Sequence, residues 1–148
     1  EENKIEDYDV VIVPPWALPK NIKFDFSINI RSMMEMNTET INKYFKYIQE
    51  NLAEDGYFFN VNRYFTDGND YNFYFYKFPY NKNWNIIKSE TSWSQNRLHL
   101  LLTRKSKVAL NDMDNLLKKL ENFTNNRLAY KKNIYYIIKK FLKELFKI

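Results

Sequence analysis

Only two glycines, Gly56 and Gly68, occur in the 148 residues, and there is no cysteine. A G-x-G-x-x-G turn or a Walker A loop needs several Cβ-free positions close together, because the backbone must approach a phosphate. Two glycines this far apart form neither. The missing cysteines, together with a single histidine, His99, exclude disulfides, thiol nucleophiles and the usual zinc cages, so no metal site is expected. Whatever the chain does, it does without a glycine-rich cradle of its own. The length suits one domain with a single core, and 45% hydrophobic with 28% charged residues excludes disorder as the default state. The chain opens at Glu1 without a methionine, which leads to the expectation of a piece of something longer or a processed product.

The formal net charge is +5, but it is unevenly placed. Residues 127–148 hold seven basic side chains against one acid, Glu144, for +6, so residues 1–126 carry −1. The body has no net positive field, and no nucleic-acid partner is expected. No apolar run of about 18 or more residues is present, so no transmembrane helix is expected. Glu1, Glu2, Glu6, Asp7 and Asp9 stand where a secretory signal would carry basic residues. A cytoplasmic protein is the simplest expectation.

The apolar β-branched run at residues 9–13 reads as a buried strand stopped by Pro14 and Pro15. Residues 24–30 read as a second strand. Thr38 reads as a helix N-cap, with Ile41, Tyr44, Phe45, Ile48 and Leu52 at helical spacing until Gly56 ends the helix. A third strand is predicted over 56–65. Strand, helix, strand is the unit of a parallel α/β sheet. After turn formers at 67–72 comes an aromatic segment, 71–80, read as core-facing or as a lid. Residues 84–93 and 97–104 are spaced as an antiparallel hairpin. Two helices are expected to follow, over 111–123 and from 129 to the end. The division expected is a sheet-bearing part, 1–110, and a helical tail, 111–148.

An apolar strand, Leu18-Pro19, Phe24-Asp25 opening the next strand, a helix, a glycine-led strand and a terminal hairpin together resemble the second half of a class I S-adenosylmethionine-dependent methyltransferase. Within that superfamily, Ile28-Asn29-Ile30-Arg31-Ser32-Met33-Met34-Glu35-Met36, followed by Tyr44-Phe45, Leu52 and Asn60-Val61-Asn62-Arg63, is similar to sugar O-methyltransferases. The superfamily-level match covers roughly residues 8–105, and the family motif only 28–36 and 60–63. The resemblance implies a partial Rossmann-like sheet with a C-terminal antiparallel hairpin, S-adenosylmethionine as cofactor and a sugar or glycan hydroxyl as acceptor. It also implies that the family's first two strands, with their glycine-rich loop, are absent here and that the cofactor site is incomplete. In the family's sheet those strands lie between the third and the fourth, so a gap is expected beside the 9–13 strand.

In an open α/β sheet, ligands bind beyond the carboxyl ends of the strands. Glu35 is the first candidate for chemistry: methyl transfer to a hydroxyl needs a base, and Met33, Met34 and Met36 would give the carboxylate a partly apolar setting that raises its pKa. The alternative is that Glu35 stabilises the first turn of the following helix. Arg31 is a candidate for holding an anionic sugar or phosphate, against a solvated surface role. Asn29 and Ser32 would bind hydroxyls or shape their loop, and Asn62 and Arg63 carry the same two readings. By the resemblance, Pro15, Trp16 and Ala17 lie where the cofactor's adenine is contacted; the alternative for Trp16 is filling the sheet edge. His99 shares a strand face with Leu101, opposite Leu98, Leu100 and Leu102, and is expected to be structural and away from the cleft-forming strand ends.

At the end of the chain, Ile134, Ile137, Ile138, Phe141, Leu142, Leu145 and Ile148 form one helical stripe, with Lys131, Lys132, Lys139, Lys140, Lys143 and Lys147 mostly off it. Docking on the domain or on another subunit is the favoured reading. Peripheral contact of residues 127–148 with an anionic membrane is the alternative, and a homo-oligomer stays open.

Overall fold

The computed structural model describes residues 12–20, 22–67, 72–93, 95–108, 110 and 112–146. Their chain order is strand β1 (Phe24–Ile30), helix α1 (Thr38–Asn51), strands β2 (Leu52–Arg63), β3 (Phe65–Asp67), β4 (Asn72–Tyr74), β5 (Trp84–Thr91) and β6 (Leu98–Lys105), and helix α2 (Met113–Phe146). It is a mixed α/β arrangement. Four strands form one sheet in the order β1-β2-β6-β5, and β3 pairs with β4 in a small ladder. β1 and β2 are parallel, as their connection through α1 requires, while β6 is antiparallel to both β2 and β5.

α1 forms because Ile41, Phe45 and Ile48 recur on one buried face. That face packs on Leu52, Phe58 and Leu101 of the sheet, and Phe73, Phe75, Phe78, Tyr80 and Trp84 complete the same core. Phe45 is its hub, with ring centroids 4.9 Å from Tyr80, 5.3 Å from Phe78 and 5.5 Å from Phe58. The aromatic segment is therefore core, and burial at roughly 25 cal/mol per Å² makes these rings major contributors to stability. On the other sheet face Phe26, Ile28 and Ile30 of β1 are half exposed, and β1 is an edge of the four-stranded sheet among the described residues.

Several expectations need correction. The strand at residues 9–13 lies almost wholly outside the described residues; Ile12 and Val13 are described and are not strand, and Pro15–Ala17 form a single 3-10 turn. Asn37 caps α1, accepting the Thr40 N–H at 2.9 Å, and Thr38 is the first helical residue. Asparagine and threonine are both good caps, so the pattern left the position one residue uncertain. Gly56 does not end the helix. α1 passes directly into β2 at Leu52, and lysines satisfy the end of the helix where a glycine motif usually would: Lys105 Nζ donates to Gln49 O (2.7 Å) and Leu52 O (2.6 Å), and Lys23 Nζ to Glu50 O (2.6 Å). Partial burial lowers the Lys105 pKa, with repulsion from Lys23 adding to the effect. Gly56 lies inside β2, next to Asp55, which takes the left-handed conformation with φ 62°.

The two expected C-terminal helices are one, α2, which spans about 51 Å at 1.5 Å per residue. Thr124-Asn125-Asn126 reads as a break, but these residues cost only a few tenths of a kcal/mol each in a helix, and neither glycine nor proline interrupts it. Asp112 caps its start by accepting the Asn115 N–H at 2.9 Å. Met113, Leu120 and Thr124 are buried, whereas Ile134, Ile137, Ile138, Phe141 and Leu142 are 39–63% exposed. The apolar stripe does not dock on the described part of the domain.

Candidate functional site

Alternation in β1 and β2 puts Asn29, Asn60 and Asn62 on the core face, with Asn29 level with Asn60 in the parallel register. Buried amides must find partners, and these find one another and the turn above them. Asn29 Oδ1 accepts from Ser32 Oγ at 3.0 Å and from Met33 N and Asn62 Nδ2 at 3.5 Å each. Asn62 Oδ1 accepts the Met34 N–H at 3.1 Å, and its Nδ2 also donates to Asn60 Oδ1. Asn60 in turn donates to the Tyr80 hydroxyl at 2.9 Å. Burial pushes the Tyr80 phenol far above its ordinary pKa, with the Asn60 bond working the other way. Two segments 25 or more residues apart thus meet in one network at the carboxyl ends of neighbouring parallel strands.

The network fixes the turn carrying the other candidates. Arg31 takes φ 62°, a conformation few non-glycine residues adopt, with its N–H held by Val61 O at 2.7 Å. Met33 and Met34 are buried in the core, and Arg31, Ser32 and Glu35 are exposed. The apolar setting expected around Glu35 is therefore not found, because the two methionines are turned away from its carboxylate. Asn29 and Asn62 are 6% and 0% exposed, and their amides serve the turn. Trp16 is 87% exposed and, with Leu18, Met36, Thr40, Lys43 and Tyr44, borders an apolar groove of about 420 Å³. Ala17 is exposed beside it, and its N–H is bonded to Pro14 O at 2.9 Å; Pro15 starts the same turn.

His99 departs from expectation in position. β6 runs antiparallel to β2, so its first residues lie at the carboxyl end of β2, and His99 is the register partner of Asn62. The ring is buried, with Nε2 3.1 Å from Ser89 Oγ and Nδ1 3.3 Å from the Tyr64 hydroxyl, which is itself 2.7 Å from Thr91 Oγ1. Phe75 packs edge-on at 5.0 Å. Burial lowers its pKa to about 4, with Glu90 opposing.

Arg63 stands apart from Arg31 and Ser32: it lines a larger cleft with residues from the β5–β6 turn and from α2. That cleft has no single sequence signature, although Arg127, Tyr130 and Lys131 fall at i, i+3 and i+4 on one helix face. Compared with known proteins, the sequence matches no family model and no curated protein.

Proposed function

We propose that the chain is the carboxyl-terminal part of a class I S-adenosylmethionine-dependent O-methyltransferase acting on a sugar or glycan hydroxyl. The observation that carries this reading is the network just described: the two motif segments, 28–36 and 60–63, meet through Asn29, Ser32 and Asn62 beyond the ends of β1 and β2, where open α/β sheets take ligands. The parallel β1-α1-β2 unit followed by the β5–β6 hairpin agrees with it.

The residues fit only part of S-adenosylmethionine. The groove beside Trp16 suits a flat purine ring, whereas Gly56 and Gly68 supply no glycine-rich turn for the amino-acid end. When bound, the cofactor supplies an electrophilic methyl group. In this reading Glu35 is the carboxylate that receives the hydroxyl proton, and Arg31 and Ser32 border the acceptor. Isothermal titration of S-adenosylmethionine into protein produced with the coding sequence upstream of Glu1 tests the proposal. Saturable binding supports it, and no binding up to millimolar cofactor removes the cofactor assignment.

The exposed stripe of α2 favours a second reading, a non-enzymatic module that rests on an anionic membrane surface. Ile137, Ile138 and Phe141 are exposed alongside Lys139 and Lys140, an arrangement that complements acidic headgroups. No helix among the described residues is long and apolar enough to cross a membrane. Flotation with phosphatidylserine vesicles, with and without residues 127–148, distinguishes it; equal flotation, or none, rejects it.

A further inference from the structure

The cleft that includes Arg63 is built from three segments: Arg63 at the end of β2 with Tyr64, Phe65 and Thr66 just beyond, Asn96 and Arg97 in the β5–β6 turn, and Arg127, Tyr130 and Lys131 on α2. Its volume is about 650 Å³, in the range of small-molecule sites. Four of its lining residues are cations and none is an acid. Arg63, Arg97 and Arg127 make no ion pair with a described carboxylate. Arginines gathered with no acid among the described lining residues favour an anion in the space they share.

One wall of the cleft is held by Arg127. Arg127 Nη1 donates to Asn96 O at 2.9 Å, and its guanidinium lies over the rings of Phe123 (4.6 Å) and Tyr64 (5.5 Å), so the group is held in place with donors to spare.

We propose that this cleft binds a phosphorylated sugar, the phosphoryl group lying among Arg63, Arg97 and Arg127 and the ring against the exposed face of Tyr130. Guanidinium forks match phosphate oxygens in pairs, which selects a phosphoryl group over a diffuse negative charge. The exposed Tyr130 ring, with Asn96 on the same cleft, suits a small polyhydroxylated ring. The assignment does not depend on methyl transfer, and its test uses no S-adenosylmethionine.

Isothermal titration of glucose 1-phosphate, inorganic phosphate, glucose and a single-stranded oligonucleotide into the full chain tests it. Glucose 1-phosphate is expected to bind saturably, at least tenfold tighter than glucose and tighter than phosphate alone. Arg63→Gln and Arg97→Gln, at positions outside the core, are each expected to weaken it by about tenfold, the size of one charge-assisted hydrogen bond. Arg127→Gln is read together with its circular dichroism, since that side chain also ties α2 to the β5–β6 turn. Binding of glucose 1-phosphate that is absent, no tighter than glucose, or unchanged in both Arg63→Gln and Arg97→Gln overturns the proposal. So does tighter binding of the oligonucleotide through the same arginines.

Discussion

Lowering the pH from 7 to 5 should destabilise this protein by about 2 kcal/mol through His99 alone. The ring is 3% exposed and its pKa is lowered from 6.5 to about 4 by burial. A depressed base is neutral in the folded chain and takes up a proton more readily when unfolded, so its contribution is intact above pH 6.5 and lost as the pH falls toward 4. Applying the linkage relation to these two values gives about 2 kcal/mol lost between pH 7 and 5, and about 3 kcal/mol by pH 4. Because His99 is the only histidine, no other side chain of ordinary pKa titrates inside the upper window. Glu39, whose pKa is lowered chiefly by its hydrogen bond to Lys43, acts only below that window. Urea unfolding followed by the emission of Trp84, which is buried in the core, should show the midpoint falling by about 1 M between pH 7 and 5. His99→Gln keeps a neutral polar group beside Ser89 and Tyr64 and should flatten the profile. An unchanged slope in that variant, or a flat profile in the parent chain, would refute the reasoning.

Asn62→Leu removes the acceptor of the Met34 N–H and the donor to Asn29 and Asn60, and should cost about 2–4 kcal/mol of unfolding free energy in the same assay. Gly56→Ala should cost about 1–3 kcal/mol, because the new Cβ would stand 2.8 Å from Leu52 Cγ and 3.0 Å from Ala53 O, and Leu52 is fully buried. A thermal midpoint within a degree of the parent would show that β2 can shift to accept the methyl. Truncation after Leu128 should change the unfolding free energy by less than about 1 kcal/mol, since Met113, Leu120 and Thr124, the buried residues of α2 among those described, precede it; a larger loss would mean that the exposed stripe contributes to folding.

What the sequence revealed followed short-range physics. Periodicity found β1, the apolar face of α1 and the β5–β6 hairpin, because strand alternation and helical spacing are local properties. It failed where a tertiary partner replaced a local signal. Lys105 and Lys23 reach the end of α1 from distant segments, so the helix needs no glycine and Gly56 was free to serve close packing instead. Asn29, Ser32, Asn60 and Asn62 lay in the segments that carry the resemblance, yet Tyr80, which completes the network, carries no signal short of the fold. The face shared by His99 and Leu101 was legible, but the depth of His99 in the sheet depended on the direction of β6. Arg63, Arg97 and Arg127 are 30 or more residues apart in sequence and come to line one cleft only through that direction and the unbroken path of α2.

The half-exposed row Phe26, Ile28 and Ile30 on β1 bears on how the chain behaves in a tube. Among the described residues β1 is an edge strand with apolar side chains and no charge between Phe26 and Ile30, a ready template for intermolecular pairing. Handling of the chain then depends on the stickiness of this strand, beside that of the exposed α2 stripe, more than on the firmness of its aromatic core. A lysine in place of Ile28 would act as a gatekeeper, improving solubility at high concentration while leaving the Asn29 face and the core untouched.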